Sequence, residues 1–217
     1  MSGASDLLLL LVLVTDLYVV ASSRLTACIR ASALQGAMLA ILPVVLRLEG
    51  ASTNWIHILV IGVGLLAIKA IAIPALLSRA VRDANVQHEV EPFVSFHVSV
   101  LLAAGLVGMS FWLATVLVLP RPAPSIVVVP AALATLLIGF LVLVTRRQAV
   151  TQVVGYLLLE NGVFIFGQTL IGESPFVVEL GILLDLLVGV FVMGIAIYHI
   201  SREFDHIDTE RLTSLKG

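Results

Sequence analysis

Residues 149–171 read AVTQVVGYLLLENGVFIFGQTLI, an apolar run with a single acidic or basic side chain, Glu160, near its centre. The hydrocarbon core of a bilayer is about 30 Å thick, and about 20 helical residues cross it. The run is continuous and lacks the strict alternation of a barrel strand, so it predicts a membrane-spanning helix. Working outward, comparable runs lie at 6–22, 29–48, 55–77, 93–119 and 125–144 before it and at 176–200 after it. The prediction is an all-α polytopic bundle of about seven transmembrane helices. Turn chemistry marks the breaks at 50–54, 78–92, 121–124, 145–148 and 172–175, each short enough to join antiparallel neighbours.

Composition agrees. The 217 residues are 60% hydrophobic and 12% charged, with a net charge of -2, which leaves no basic face for nucleic acid. One cysteine, Cys28, can form no internal disulfide and cannot supply an iron–sulfur cluster. No nucleophile–base pair, phosphate loop or metal-ligand cluster appears at diagnostic spacing, so no catalytic residue, metal or cofactor is expected in this chain. Gly62-Val63-Gly64 lies inside an apolar run and reads as helix packing. The N-terminal run lacks a basic leader and contains Asp16, so it reads as the first span and not as a signal peptide.

Orientation follows from the basic residues. Arg24, Arg30, Arg79, Arg82, Arg146, Arg147, Arg202, Arg211 and Lys216 fall on one side, and only Arg47 and Arg121 on the other. The positive-inside rule then places the N-terminus outside and the C-terminus in the cytoplasm of a bacterial or archaeal cell membrane.

The informative residues break the apolar pattern, because a charge at a helix centre costs about 2.5 to 3.5 kcal/mol on insertion scales. Asp16, Lys69, Glu160 and Asp185 lie near the middles of the first, third, sixth and seventh runs and are expected to form one layer. Glu179 stands about one turn inside the last run, and His57 and His97 lie near run ends. Desolvation disfavours a buried charge and an opposite charge favours it, so groups held in that balance can exchange protons near neutral pH. The same residues can instead form static pairs that hold helices in register. Gly155 and Gly162 flank Glu160, and Gly181 and Gly189 flank Asp185, where small residues permit close helix approach. Pro74, five residues after Lys69, is expected to disturb the helix there.

Residues 155–162 (GYLLLENG), 175–185 (PFVVELGILLD) and 208–217 (DTERLTSLKG), with Lys69 and Ile73-Pro74 earlier in the chain, resemble membrane component E of the hydrogenase-4 type formate hydrogenlyase complexes. The last three runs in turn resemble the small K subunit of respiratory complex I, whose two helix carboxylates fall on Glu160 and Asp185, with Asp at the second position where that subunit has Glu. This resemblance implies a four-helix part (1–124), a three-helix module (125–200) and a cytoplasmic tail (201–217). It implies a membrane-arm subunit of a redox-driven ion pump, beside antiporter-like and quinone-site-like membrane subunits and coupled indirectly to peripheral hydrogenase or redox subunits. Glu160, Asp185, Lys69, Asp16 and Glu179 would serve as proton-relay residues. The alternatives are a subunit of a multisubunit cation/proton antiporter and a purely structural assembly subunit.

Overall fold

The computed structural model describes residues 3–48, 55–83, 92–117 and 125–170. The expected seventh span with Glu179 and Asp185, and the tail after it, lie outside the described residues. The described chain forms α1 (Gly3–Ala21), α2 (Leu25–Leu48), α3 (Trp55–Leu65), a π-helical stretch (Leu66–Ala72), α4 (Ile73–Asp83), α5 (Phe96–Val116), α6 (Val128–Thr145) and α7 (Ala149–Leu170), with no strand among the described residues. Leu65 and Ile73 are both right-handed helical, so α3, the π stretch and α4 form one continuous rod. Counting that rod once, six helices are long and apolar enough to cross a membrane, one for each of the first six predicted runs.

Helix ends differ from expectation where packing extends beyond the apolar run. The predicted break at 78–92 begins later, because α4 continues to Asp83. Leu77 and Val81, one turn apart, stay buried while Arg79 and Arg82 are exposed, so the polar segment still has an apolar stripe to pack. α2 starts at Leu25, four residues before its predicted start, and Leu25, Cys28 and Ile29 are all buried.

Helix α7 returns against α6 at van der Waals limits. A Cβ added at Gly162 would lie 2.5 Å from the Leu136 amide nitrogen, one at Gly155 2.7 Å from that of Leu143, and one at Gly139 would strike the Leu159 backbone. The order of these contacts, rising along α6 and falling along α7, fixes an antiparallel pair. Close backbone contact of this kind is how helices associate where no water is expelled. Hydroxyls within the apolar helices donate back to the preceding turn, as Thr15 does to Val12 O (2.7 Å) and Ser110 to Leu106 O (2.7 Å).

The interior has two apolar cores. One contains Val19, Val20, Leu25, Ile29, Ile73, Leu77, Ile138, Val142, Leu157 and Leu158. The other contains Leu9, Val12, Leu39, Leu42, Leu65, Ala131, Phe164 and Ile165. On α1, α2, α6, α7 and the α3–α4 rod alike, the residues between the two sets are polar: Asp16, Gln35, Thr135, Glu160-Asn161 and Lys69. The polar layer therefore sits at mid-depth of the bundle.

Candidate functional site: a polar chain between two cores

Lys69 reaches this layer from the middle of the π stretch. The π register closes with the Ile73 N–H bonding to Ile68 O, five residues back. The next bond of that kind would need an N–H on Pro74, which has none, so the proline sets where the widened turns stop. The expected disturbance is thus a local π segment. Opposite it, Gly36 of α2 lets the backbones meet: a Cβ there would lie 2.8 Å from Lys69 Cβ and 2.9 Å from its carbonyl carbon.

The Lys69 ammonium donates to Glu160 Oε1 (2.9 Å) and to Asn161 Oδ1 (3.0 Å), both on α7. The pair is a buried salt bridge, each side chain 4% exposed. Lys69 Nζ also lies 5.7 Å from the Phe164 ring centroid, one turn further along α7. Asn161 Nδ2 donates to Gln35 Oε1 (3.0 Å), and Gln35 Nε2 donates to Asp16 Oδ1 (2.7 Å). Thr135 Oγ1 completes the far end by donating to Asp16 Oδ2 (2.7 Å). The six residues Thr135, Asp16, Gln35, Asn161, Lys69 and Glu160 thus form one hydrogen-bonded chain through α6, α1, α2, α7 and the π stretch, all of them buried.

Chemistry dictates the direction of this chain. A carboxylate only accepts and an ammonium only donates, so each carboxamide must turn its NH₂ toward Asp16 and its oxygen toward Lys69. Flipping both would set oxygen against carboxylate and NH₂ against ammonium. Asp16 has both oxygens satisfied. Glu160 does not: Oε2 is buried and has no hydrogen-bond partner among the described residues.

Three of the four expected midplane charges, Asp16, Lys69 and Glu160, therefore meet on one network. His97 is exposed on the first turn of α5, apart from the layer, and the His57 side chain lies outside the described residues. Gln35, Asn161 and Thr135 were not singled out by the sequence. Their signal is a polar side chain in an apolar run, which is cheaper than a charge and correspondingly less conspicuous. Among the described residues, no three His, Cys, Asp or Glu side chains gather as they would around a metal ion.

A second buried charge lies at the bundle end. Arg146, only 2% exposed, donates from Nη2 to Val20 O (2.5 Å), a carbonyl in the last turn of α1, and its guanidinium carbon stands 4.3 Å from the Phe96 ring centroid. A cation is favourable at that negative helix end. Arg147 instead is exposed and stacks on Phe93 (4.4 Å).

Comparison with known proteins places this geometry in context. No protein-family model and no solved structure matches the chain. It is similar to hydrogenase-4 component E of Escherichia coli and of Shigella flexneri, at 29% identity over 69% of this chain and 69% of each relative. It is 37% identical to the uncharacterized protein Rv0085 of Mycobacterium tuberculosis over 88% of this chain and 86% of that protein. A chain so alike over nearly its full length belongs to the same family of membrane proteins as Rv0085, with hydrogenase-4 component E as a more distant relative.

Proposed function

We propose that this protein is a membrane-arm subunit of a hydrogenase-type redox complex, and that its Lys69–Glu160 pair is the protonatable element of an ion-translocation path. The observation that carries the reading is the buried pair itself, joined to a second carboxyl group on one chain. Lys69 pairs directly with Glu160, and Asp16, whose oxygens accept from Gln35 and Thr135, is linked to it only through the carboxamides. Proton transfer from the ammonium to Oε1 would convert the ion pair into a neutral amine and a neutral acid, with no further group required. Rotation of the neutral carboxyl group then turns the protonated oxygen to the place of Oε2, which has no partner among the described residues, and the proton leaves from there toward water or the next relay group.

The carboxamides set the roles of the rest. An amide gives up an N–H proton too reluctantly to relay it, so Gln35 and Asn161 transmit orientation and charge, and Asp16 acts on Lys69 electrostatically. The saturated oxygens of Asp16 favour a structural component at that end. The similarity to hydrogenase-4 component E supports membership of such a complex. On this reading Asp185 and Glu179 extend the path as in the K subunit of complex I, antiporter-like and quinone-site-like subunits pack alongside, and peripheral hydrogenase or formate hydrogenlyase modules supply the electrons.

The test replaces Glu160 by Gln, which keeps shape and most hydrogen bonding but removes titration. Proton uptake coupled to redox turnover is measured in membrane vesicles, with assembly assayed in parallel. The proposal expects uptake to fall while the complex assembles. Unchanged uptake, or loss only through failed assembly, assigns the carboxylate to the scaffold.

A further inference from the structure

A groove of about 500 Å³ opens between α1 and α2 on the outside of the bundle, on the opposite flank of α1 from its buried face. Its end beside the α1–α2 turn carries Arg24, Thr26 and Arg30, and Tyr18 lines it from α1. Further in, its walls are Val14 and Thr15 on α1 and Ala31 and Leu34 on α2, apolar but for the Thr15 hydroxyl, which donates back to Val12 O (2.7 Å). No acidic residue lines it, and neither Arg24 nor Arg30 forms an ion pair among the described residues. Both arginines are exposed, as are Tyr18 (53%), Val14 (61%) and Leu34 (53%).

The dimensions identify the occupant. From Arg24 to Leu34 the helix rises about 15 Å at 1.5 Å per residue, which is half of a hydrocarbon core about 30 Å thick. Leu34 adjoins Gln35 of the midplane layer, so the groove runs from the membrane surface to the bilayer centre. It spans one leaflet, charged at the surface end and apolar at the centre. The positive N-terminal end of α2 adds to the two guanidinium groups at the surface end. A free anion would use only the charged end, and a soluble partner would find no reason to follow the apolar walls to midplane. We infer that this groove binds one anionic phospholipid, its phosphate held by Arg24 and Arg30 and an acyl chain lying along Val14 and Leu34.

The full chain in neutral detergent, titrated with phosphatidylglycerol or with phosphatidylcholine of the same acyl chains and read by native mass spectrometry, tests this. Phosphatidylglycerol is expected to bind preferentially. Each surface arginine is worth about a fivefold factor for an anionic headgroup, so the R24Q/R30Q double variant is expected to lose about 25-fold in affinity. An R79Q/R82Q variant, changed at the same end of the bundle but outside the groove, is expected to bind as the parent does. A27W, which keeps both arginines and fills the groove, is expected to lose binding too and serves where the double variant does not fold. Equal binding of the two lipids, equal loss in the control variant, full binding by A27W, or competition by glycerol phosphate at the lipid's own concentration overturns the inference. So does a photoreactive group at Thr26 that couples in native membranes to protein instead of lipid.

Discussion

Lys69 is held by more than its counter-ion. Its ammonium touches Glu160, Asn161 and the face of Phe164, and its backbone is pressed against Gly36. Removing the charge from one partner of such a pair leaves the other buried and uncompensated, a loss of about 3 to 5 kcal/mol where it has been measured. Lys69→Met is therefore expected to destabilise the bundle by an amount of that order, read as a fall in the denaturant midpoint in mixed micelles. Glu160→Gln leaves the Lys69 ammonium uncompensated in the same way, and is expected to cost less only by what the ammonium keeps, its bonds to the new amide oxygen and to Asn161 Oδ1. At this scale the sequence was legible for charges and silent for neutral groups. Asp16, Lys69 and Glu160 stand out because an apolar run tolerates no charge without a partner. Gln35, Asn161 and Thr135 do not, because which neutral polar residues face inward depends on helix rotation. Arg146, counted with Arg147 on the basic side, turns inward to Val20 O, which its position beside another arginine does not reveal.

At the scale of the helix, small residues and one proline place the site. Gly139, Gly155 and Gly162 bring α7 against α6 and so hold Glu160 and Asn161 at a fixed height, and each contact is with backbone that cannot step aside. Gly139→Ala is expected to destabilise the chain by about 1 to 3 kcal/mol, the usual cost of overpacking. Gly105→Ala and Gly108→Ala on α5, where a Cβ meets nothing within 4 Å, are expected to be neutral or stabilising by up to about 1 kcal/mol. Thermal unfolding of the three variants in one detergent separates these outcomes. The close approach around Glu160 was legible from Gly155 and Gly162. The π stretch was legible only as a disturbance near Pro74, since a proline forbids one hydrogen bond without specifying how the preceding turns rearrange. The outward face of α5, with Leu101 at 72% and Trp112 at 65% exposure, fits a helix against lipid or a neighbouring subunit, and its run of apolar residues gives no sign of which side packs.

For the whole molecule, length and hydropathy alone located the six spanning helices found among the described residues, because the backbone inside a bilayer must satisfy its own hydrogen bonds and helices do so over a countable number of residues. The order in which the helices pack was not legible, since the two cores are built from similar aliphatic residues. Orientation is a matter of charge. The exposed arginines Arg24, Arg30, Arg79, Arg82 and Arg147 gather at one end, which under the positive-inside rule is expected to face the cytoplasm. With the single buried Cys28 replaced by Ala, cysteines at Arg82 and Arg147 are expected to react with an impermeant maleimide in inverted vesicles and not in intact cells; labelling in intact cells reverses the topology. The central claim, that the buried pair moves protons as well as joining helices, is tested most directly by the K69M/E160Q double variant, which removes both charges and leaves neither uncompensated. Assembly of the double variant and its redox-coupled proton uptake are measured in the same vesicles. The account predicts assembly restored well above that of Lys69→Met alone, with proton uptake still lost. Uptake that returns together with assembly would contradict it and leave the pair as a structural clasp.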